Sequence, residues 1–179
     1  MSKDTEAISA CELDRILCGN ALDVLNSLPG KLVDCIVTSP PYYRQRDYTG
    51  DQQIGLEESP AEYVQRLTAV FTACRRVLKP TGSLWVVIGD KYVDGRQLGM
   101  PWRLVLSMMD EGWILRSDVI WHKPNAMPSP VKNRPTTDHE YVFFFTQSKT
   151  YHYDADAIRE PHVTFSEKSR MKGGRNHFF

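Results

Sequence analysis

The sequence predicts an α/β protein built on a mostly parallel sheet whose last strand runs antiparallel, and three observations carry that expectation. Apolar, strand-like runs alternate with stretches of helical periodicity, the pattern of strand–helix–strand units. The first three runs each end in a polar or turn-forming segment: Gly19-Asn20, Ser39-Pro40-Pro41-Tyr42 and Gly89-Asp90. In parallel α/β sheets such segments collect at the carboxyl rim, where ligands bind. The final run, Tyr141 to Thr146, follows its predecessor through a proline-rich loop instead of a helix, as an antiparallel neighbour would.

Residues 1 to 12 have no periodicity and are expected to form a flexible N-terminus, residues 13 to 160 one domain, and residues 161 to 179 a polar tail or the start of a further region. Arg15-Ile16-Leu17-Cys18 reads as a short first strand. Ala21, Leu22, Leu25 and Leu28 then share a helical face before Pro29-Gly30, with Asn20 as strand end and N-cap. Val33 to Val37 suits a buried strand that stops at two prolines, which lack N–H donors and fix φ. Ser59-Pro60-Ala61-Glu62 is a capping box with proline at the first helical position. Tyr63, Leu67, Phe71, Cys74 and Leu78 follow at helical spacing until Lys79-Pro80-Thr81-Gly82. Ser83 to Ile88 is a continuous apolar strand, Pro101 to Glu111 a helix with Gly112 as its stop, and Ile114 to Trp121 the next strand. Tyr141 to Thr146 barely alternates, which implies burial on both faces.

The 179 residues balance 22 basic against 22 acidic side chains, so no basic coat covers the whole surface and any nucleic-acid contact must be a local patch. Two such patches are present. Tyr43, Arg44 and Arg46 interleave cations with aromatic rings, and the loop from Lys123 to Asp138 carries Lys123, Lys132 and Arg134, stiffened by Pro124, Pro128, Pro130 and Pro135. Each also reads as a solvated surface loop. The four cysteines lack C-x-x-C spacing, pointing to no zinc site and a reducing cytoplasm, and the polar N-terminus carries neither a secretory signal nor a membrane span.

The chemistry concentrates at Ser39-Pro40-Pro41-Tyr42. The prolines hold the preceding residues extended, so a hydroxyl, carbonyl oxygens and the Tyr42 ring form one fixed array. Such an array fits a planar ligand with an amino group: the oxygens accept its hydrogens and the ring stacks on its face. Thr38-Ser39-Pro40-Pro41-Tyr42 resembles the (D/N/S)-P-P-(Y/F/W) motif of S-adenosylmethionine-dependent methyltransferases acting on exocyclic amino nitrogens in DNA. The likeness extends to Val119 to Asn125, Arg134 to Tyr141 and Tyr151 to Asp154, similar in type and order to segments of N4-cytosine and N6-adenine DNA methyltransferases whose catalytic motif precedes the cofactor motif.

The resemblance implies a Rossmann-like methyltransferase sheet and S-adenosylmethionine as cofactor. It implies contacts to that cofactor from Asn20, Ala21, Thr38 and Ser39, a catalytic role for Ser39, Pro40, Pro41 and Tyr42, and double-stranded DNA as partner with no metal. Serine before Pro-Pro favours N4 of cytosine over N6 of adenine. Relatives of this order continue into an F-x-G-x-G loop that has no match here, since Gly173-Gly174 lies in a polar stretch without a preceding strand. The expectation is therefore an incomplete sheet with unpaired edges: a fragment, one half of a split enzyme, or a degenerate scaffold. Such a chain would be inactive alone and inclined to bind a complementing chain or itself. A non-catalytic DNA-binding or interaction module, and methylation of a protein amide or an RNA base, stay open.

Overall fold

The structure is a computed structural model that describes residues 14–50 and 52–158; the expected N-terminal segment and polar tail lie outside them. Its helices are α1 (Ala21–Ser27), α2 (Pro60–Val77) and α3 (Met100–Asp110). Its strands are β1 (Val33–Thr38), β2 (Leu78–Ile88), β3 (Tyr92–Val93), β4 (Arg96–Gln97), β5 (Ile114–His122) and β6 (His139–Thr146). Four of them form one sheet in the order β1-β2-β6-β5, with β1 parallel to β2 and β6 antiparallel to both neighbours. Three strands thus run one way and β6 the other, as the loop between β5 and β6 implied.

Local chemistry starts and stops the helices. The Asn20 side chain accepts hydrogen bonds from the Leu22 and Asp23 amides at the head of α1. Ser59 accepts from the Glu62 amide, with Pro60 opening α2. At the head of α3, Gly99 has no capping side chain, and the carboxylate of Asp90 accepts from the Gly99 and Met100 amides instead. A residue at the end of β2 therefore fixes where α3 begins.

The core lies on one face of the sheet. Leu84, Val86 and Ile88 of β2 and Phe143 and Phe145 of β6 pack against Tyr63, Leu67 and Phe71 of α2 and Leu104, Val105 and Met108 of α3. Burying each of these side chains contributes on the order of 1.5–3 kcal/mol. On the opposite face Trp85 and Phe144 stack at 4.2 Å, and Tyr151 and Tyr153 pack on Phe144. The backbone beyond β6 is tied there by the His152 amide donating to the Thr81 carbonyl.

Three expectations need correction. Arg15 to Cys18 is not a strand: the segment is irregular and Ile16 is 99% exposed, because among the described residues no neighbouring strand supplies the ladder that a strand requires. The β1 strand is not buried either. It is the sheet edge, with Cys35 exposed and Val37 71% exposed. Finally, Lys79 to Gly82 does not separate α2 from the next strand. β2 begins at Leu78, and the register with β1 shifts between Val33 and Cys35 to absorb the extra residues. The β3–β4 hairpin was legible but unread: Asp94-Gly95 turns with φ of 50° and 75°, the positive pair that a two-residue Asp-Gly hairpin uses. Among the described residues no helix is long and apolar enough to cross a membrane.

Candidate active site

The edge strand β1 delivers Ser39 and Tyr42 to a cavity of about 350 Å³, lined also by Pro40, Gln45, Arg46, Tyr48, Lys123 and Glu140. Pro40 is buried, whereas Ser39 is exposed and Tyr42 half-buried. The Pro-Pro turn is held from beneath, because the buried phenol of Tyr63 donates to the Pro41 carbonyl at 2.8 Å. Burial pushes the Tyr63 phenol well above the usual tyrosine range, with the Glu57 carboxylate adding to the effect, so it stays protonated as a donor.

The Tyr42 ring lies against the backbone of Gly89 at the end of β2. A Cβ there would sit 3.0 Å from the ring and 3.4 Å from Glu140, so any side chain at this position would press on both. The Ser39 hydroxyl donates to the Tyr42 oxygen at 3.4 Å, and Glu140 lines the same cavity beside the Tyr42 ring. Burial raises the Tyr42 pKa most; the Ser39 hydroxyl opposes this, and the nearby Glu140 carboxylate adds to it. Glu140 is itself paired with Lys123 at 2.5 Å.

Behind the turn, the loop from Tyr43 to Glu58 is braced by a buried carboxylate. Glu57 accepts from the Gly55 amide at 2.8 Å and pairs with Arg66 of α2 at 2.8 Å. The Arg44 amide closes on the Gly55 carbonyl. The Arg44 guanidinium is used internally, donating to the carbonyls of Glu57 and Glu58, and Tyr43 is 4% exposed with its hydroxyl on Glu58. The Tyr43 ring is therefore turned into the core, whereas Arg44 stays exposed with part of its guanidinium given to the loop's own carbonyls. Arg46 does face the Tyr42 cavity. Lys123 is not a free rim cation but the partner of Glu140. Lys132 is exposed, and Arg134 lies over the Tyr92 ring at 3.7 Å.

A second cavity of about 310 Å³ is lined by Asn20, Ala21, Leu22, Pro41, Gln52, Ile54, Arg66, Ala69 and Val70. The expected cofactor residues Asn20 and Ala21 belong to it, Ser39 lines the first cavity, and Thr38 at the end of β1 lines neither. Pro41 lines this second cavity and its neighbours Pro40 and Tyr42 the first, so the Pro-Pro turn separates the two. Tyr63, Glu57, Arg66 and Glu140 were missed as supports of this site, whereas Asp90, expected at the rim, was not read as the cap of α3. The helical spacing marked Tyr63 only as core, and no local pattern announces that Glu57 meets Arg66 or that pairing of β6 with β2 carries Glu140 to Tyr42. Among the described residues no group of three His, Cys, Asp or Glu is placed to hold a metal ion.

Comparison with known proteins gives a consistent result. The chain is 44% identical to the type II methyltransferase M.Cfr9I of Citrobacter freundii, covering 79% of this chain and 57% of that one. It is 37% identical to M.SmaI of Serratia marcescens, covering 82% and 60%. The chain therefore spans somewhat over half the length of these curated relatives. Among solved structures it resembles the PvuII DNA methyltransferase, described as cytosine-N4-specific, with a TM-score of 0.66 at 28% identity over 78% of this chain and 51% of that one. It also resembles a DNA modification methylase of Thermus thermophilus in complex with S-adenosyl-L-methionine, with a TM-score of 0.57 at 27% identity over 78% and 55%. The N6/N4 methyltransferase family model, described as DNA methylase, matches residues 33–177, from the first residue of β1 through the Ser39-Pro40-Pro41-Tyr42 turn and beyond β6, and the chain belongs to that family.

Proposed function

We propose that this chain carries the base-binding and methyl-accepting part of a DNA methyltransferase of the restriction-modification or phage type. It would move a methyl group from S-adenosylmethionine to the N4 amino group of a cytosine flipped out of double-stranded DNA, in the cytoplasm of a bacterial or phage-infected cell. The observation that carries the reading is the cavity in which the Ser39 hydroxyl and the Tyr42 ring meet at the end of β1.

An exocyclic amino nitrogen is a weak nucleophile because its lone pair is delocalised into the ring. Ser39 and the Pro40 carbonyl would accept its two hydrogens, favouring a pyramidal nitrogen with the lone pair directed outward. The Tyr42 ring would stack on the base, an interaction worth ~1–3 kcal/mol. Ser39 orients and does not abstract, since a hydroxyl is too weak a base, and the proton leaves to solvent after transfer. Catalysis is then mainly positioning for in-line displacement.

The second cavity fits the adenosine end of the cofactor. Leu22, Pro41, Ile54 and Val70 give apolar walls, and the Asn20 cap uses only its carbonyl oxygen, leaving the amide NH2 as a donor. At about 310 Å³ it lies near the lower end of small-molecule sites, roughly 300–1,000 Å³, enough for a nucleoside. When bound, the cofactor supplies an electrophilic methyl on sulfonium. Arg46, Lys132 and Arg134 are the cations proposed for the phosphates. The exposed β1 edge would take a complementing chain bearing the glycine-rich cofactor loop, or a second copy.

The test is transfer of labelled methyl to duplex DNA by this chain, with and without a polypeptide corresponding to the remainder of its relatives, followed by nuclease digestion and mass spectrometry. N4-methylcytosine is expected. N6-methyladenine alone would move the target base, and label found only in RNA or protein would overturn the assignment.

A further inference from the structure

The segment from Tyr42 to Tyr48 carries three tyrosines in three different settings. Tyr43 is buried and Tyr42 half-buried, whereas Tyr48 is 56% exposed and lines the same cavity as Ser39 and Tyr42. Among the described residues the Tyr48 side chain makes neither a ring contact nor a hydrogen bond through its hydroxyl. The backbone that carries it is nevertheless held firmly. The Gln53 side chain accepts from the Tyr48 amide at 2.6 Å and donates to the Arg46 carbonyl at 2.7 Å, clamping the chain on both sides of Asp47. The Thr49 amide donates to the Asp47 carboxylate at 2.7 Å, closing the same turn from within. Gln53 is anchored in its turn, since its carbonyl accepts from the Arg66 guanidinium of α2 at 2.9 Å. A core helix thus fixes the position of Tyr48 while the ring itself is left in the open beside the cavity. A ring so placed contributes little to the core and presents a rigid, amphipathic face to a ligand.

A flipped base has two faces to shield from water. Tyr42, set against the Gly89 backbone, can cover one of them from the inner side of the cavity. We infer that Tyr48 supplies the second aromatic wall, closing on the flipped base from the outer side, and that Gln53 is the positioning residue that holds it there from α2. This rests on the methyl-transfer reading of the cavity and extends it from one stacking ring to two. It also accounts for the clamp, because a loop that served only as a surface connection would gain nothing from fixing an exposed ring.

The test compares Tyr48→Ala, Tyr48→Phe and Gln53→Ala in the full chain with its complementing polypeptide. Tyr48→Ala should lower kcat/KM for duplex DNA roughly tenfold, the scale of one base–aromatic stack. Cofactor affinity and thermal unfolding should not change, because the ring is exposed and lines only the first cavity. Tyr48→Phe keeps the ring and should keep the parent rate. Gln53→Ala should lower kcat/KM severalfold, yet cost nothing further in the Tyr48→Ala background, since the clamp acts through the ring. An unchanged rate in Tyr48→Ala, an equal loss in Tyr48→Phe, or additive losses from Tyr48→Ala and Gln53→Ala would each overturn the inference. A second readout does not need turnover. With tyrosine rings carrying 13C, the full chain is titrated with 2′-deoxycytidine alone, and the Tyr42 and Tyr48 signals are assigned by their absence in Tyr42→Phe and Tyr48→Phe. Both ring signals should move upfield, as protons beneath a stacked base do. Movement of Tyr42 alone would overturn the inference and leave the reading of the cavity standing, whereas movement of neither would overturn both. If no methyl reaches DNA, the functional reading fails, and movement of both signals would still establish a base site with two rings.

Discussion

The two loops at the rim of the sheet are both rich in cations and rings, yet they are held in opposite ways. The loop from Pro41 to Glu58 is fastened to the core along its length: Tyr63 grips the Pro41 carbonyl, Glu57 and Arg66 form a pair whose carboxylate side chain is 1% exposed, and Arg44 closes on the carbonyls of Glu57 and Glu58. The loop from Lys123 to Asp138 is fastened chiefly at its base, where the Lys123 amide meets the Asp138 carbonyl and Lys123 meets Glu140. Farther out, Arg134 rests on Tyr92 and Lys132 is exposed. Cations serve rigidity in the first loop and are left to the surface in the second. Under the proposed function, a loop that aims a hydroxyl would benefit from being preorganised, whereas one that meets a flexible phosphate backbone would not need that order.

The sharpest way to break this contrast is Glu57→Ala. It removes the acceptor for the Gly55 amide and leaves Arg66 with only the Gln52 and Gln53 carbonyls, and should destabilise the chain by about 2–3 kcal/mol; the cost falls below that of a fully buried pair because the Arg66 side chain is 38% exposed. Chemical denaturation would measure it, and an unchanged midpoint would show that the pair does not brace the loop. Tyr63→Phe should cost less, about 1 kcal/mol, for the missing bond to Pro41. Its effect on methyl transfer should exceed its effect on stability, since the turn that carries Ser39 loosens while the core remains filled.

A pH titration sharpens the same point. The fold raises the Tyr63 pKa above the ordinary value of 10.0, so the folded state holds a proton that the unfolded chain gives up first. The stability from this group is complete below pH 10 and is lost as pH rises beyond it. Tyr63→Phe should therefore show a shallower decline than the parent above pH 10, and parallel curves would contradict the buried phenol. The smallest effect is expected in the second loop. Lys132→Ala and Arg134→Ala should leave thermal unfolding nearly unchanged while lowering the salt dependence of DNA binding by roughly 0.9 in log–log slope for each phosphate no longer neutralised. An unaltered slope would remove these residues from the DNA surface.

Sequence patterns with a short range were reliable in this chain. Asn20 and Ser59 cap the helices they precede, because a cap is a bond between residues two or three apart. The Pro-Pro turn ends β1 where the missing N–H groups require it, and the antiparallel placement of β6 follows from a loop with no helix in it. The side chains set at Ser39 and Tyr42 were likewise legible, since the prolines between them leave little freedom.

What the linear text could not contain is which elements find partners. Arg15 to Cys18 has the composition of a strand but no neighbour among the described residues, and a strand has no internal hydrogen bonds to sustain it alone. Tyr43 looks like a ligand-facing group until folding back of the loop buries its ring and gives its hydroxyl a carbonyl to bind. Glu57 meets Arg66, and Glu140 meets the sequence-distant Tyr42, only because α2 packs beneath the turn and β6 pairs with β2. Composition and local geometry determined the array from Ser39 to Tyr42. Tertiary structure decided its surroundings, because Tyr63 beneath the turn and Lys123 and Glu140 beside the cavity reach it only through helix packing and strand pairing.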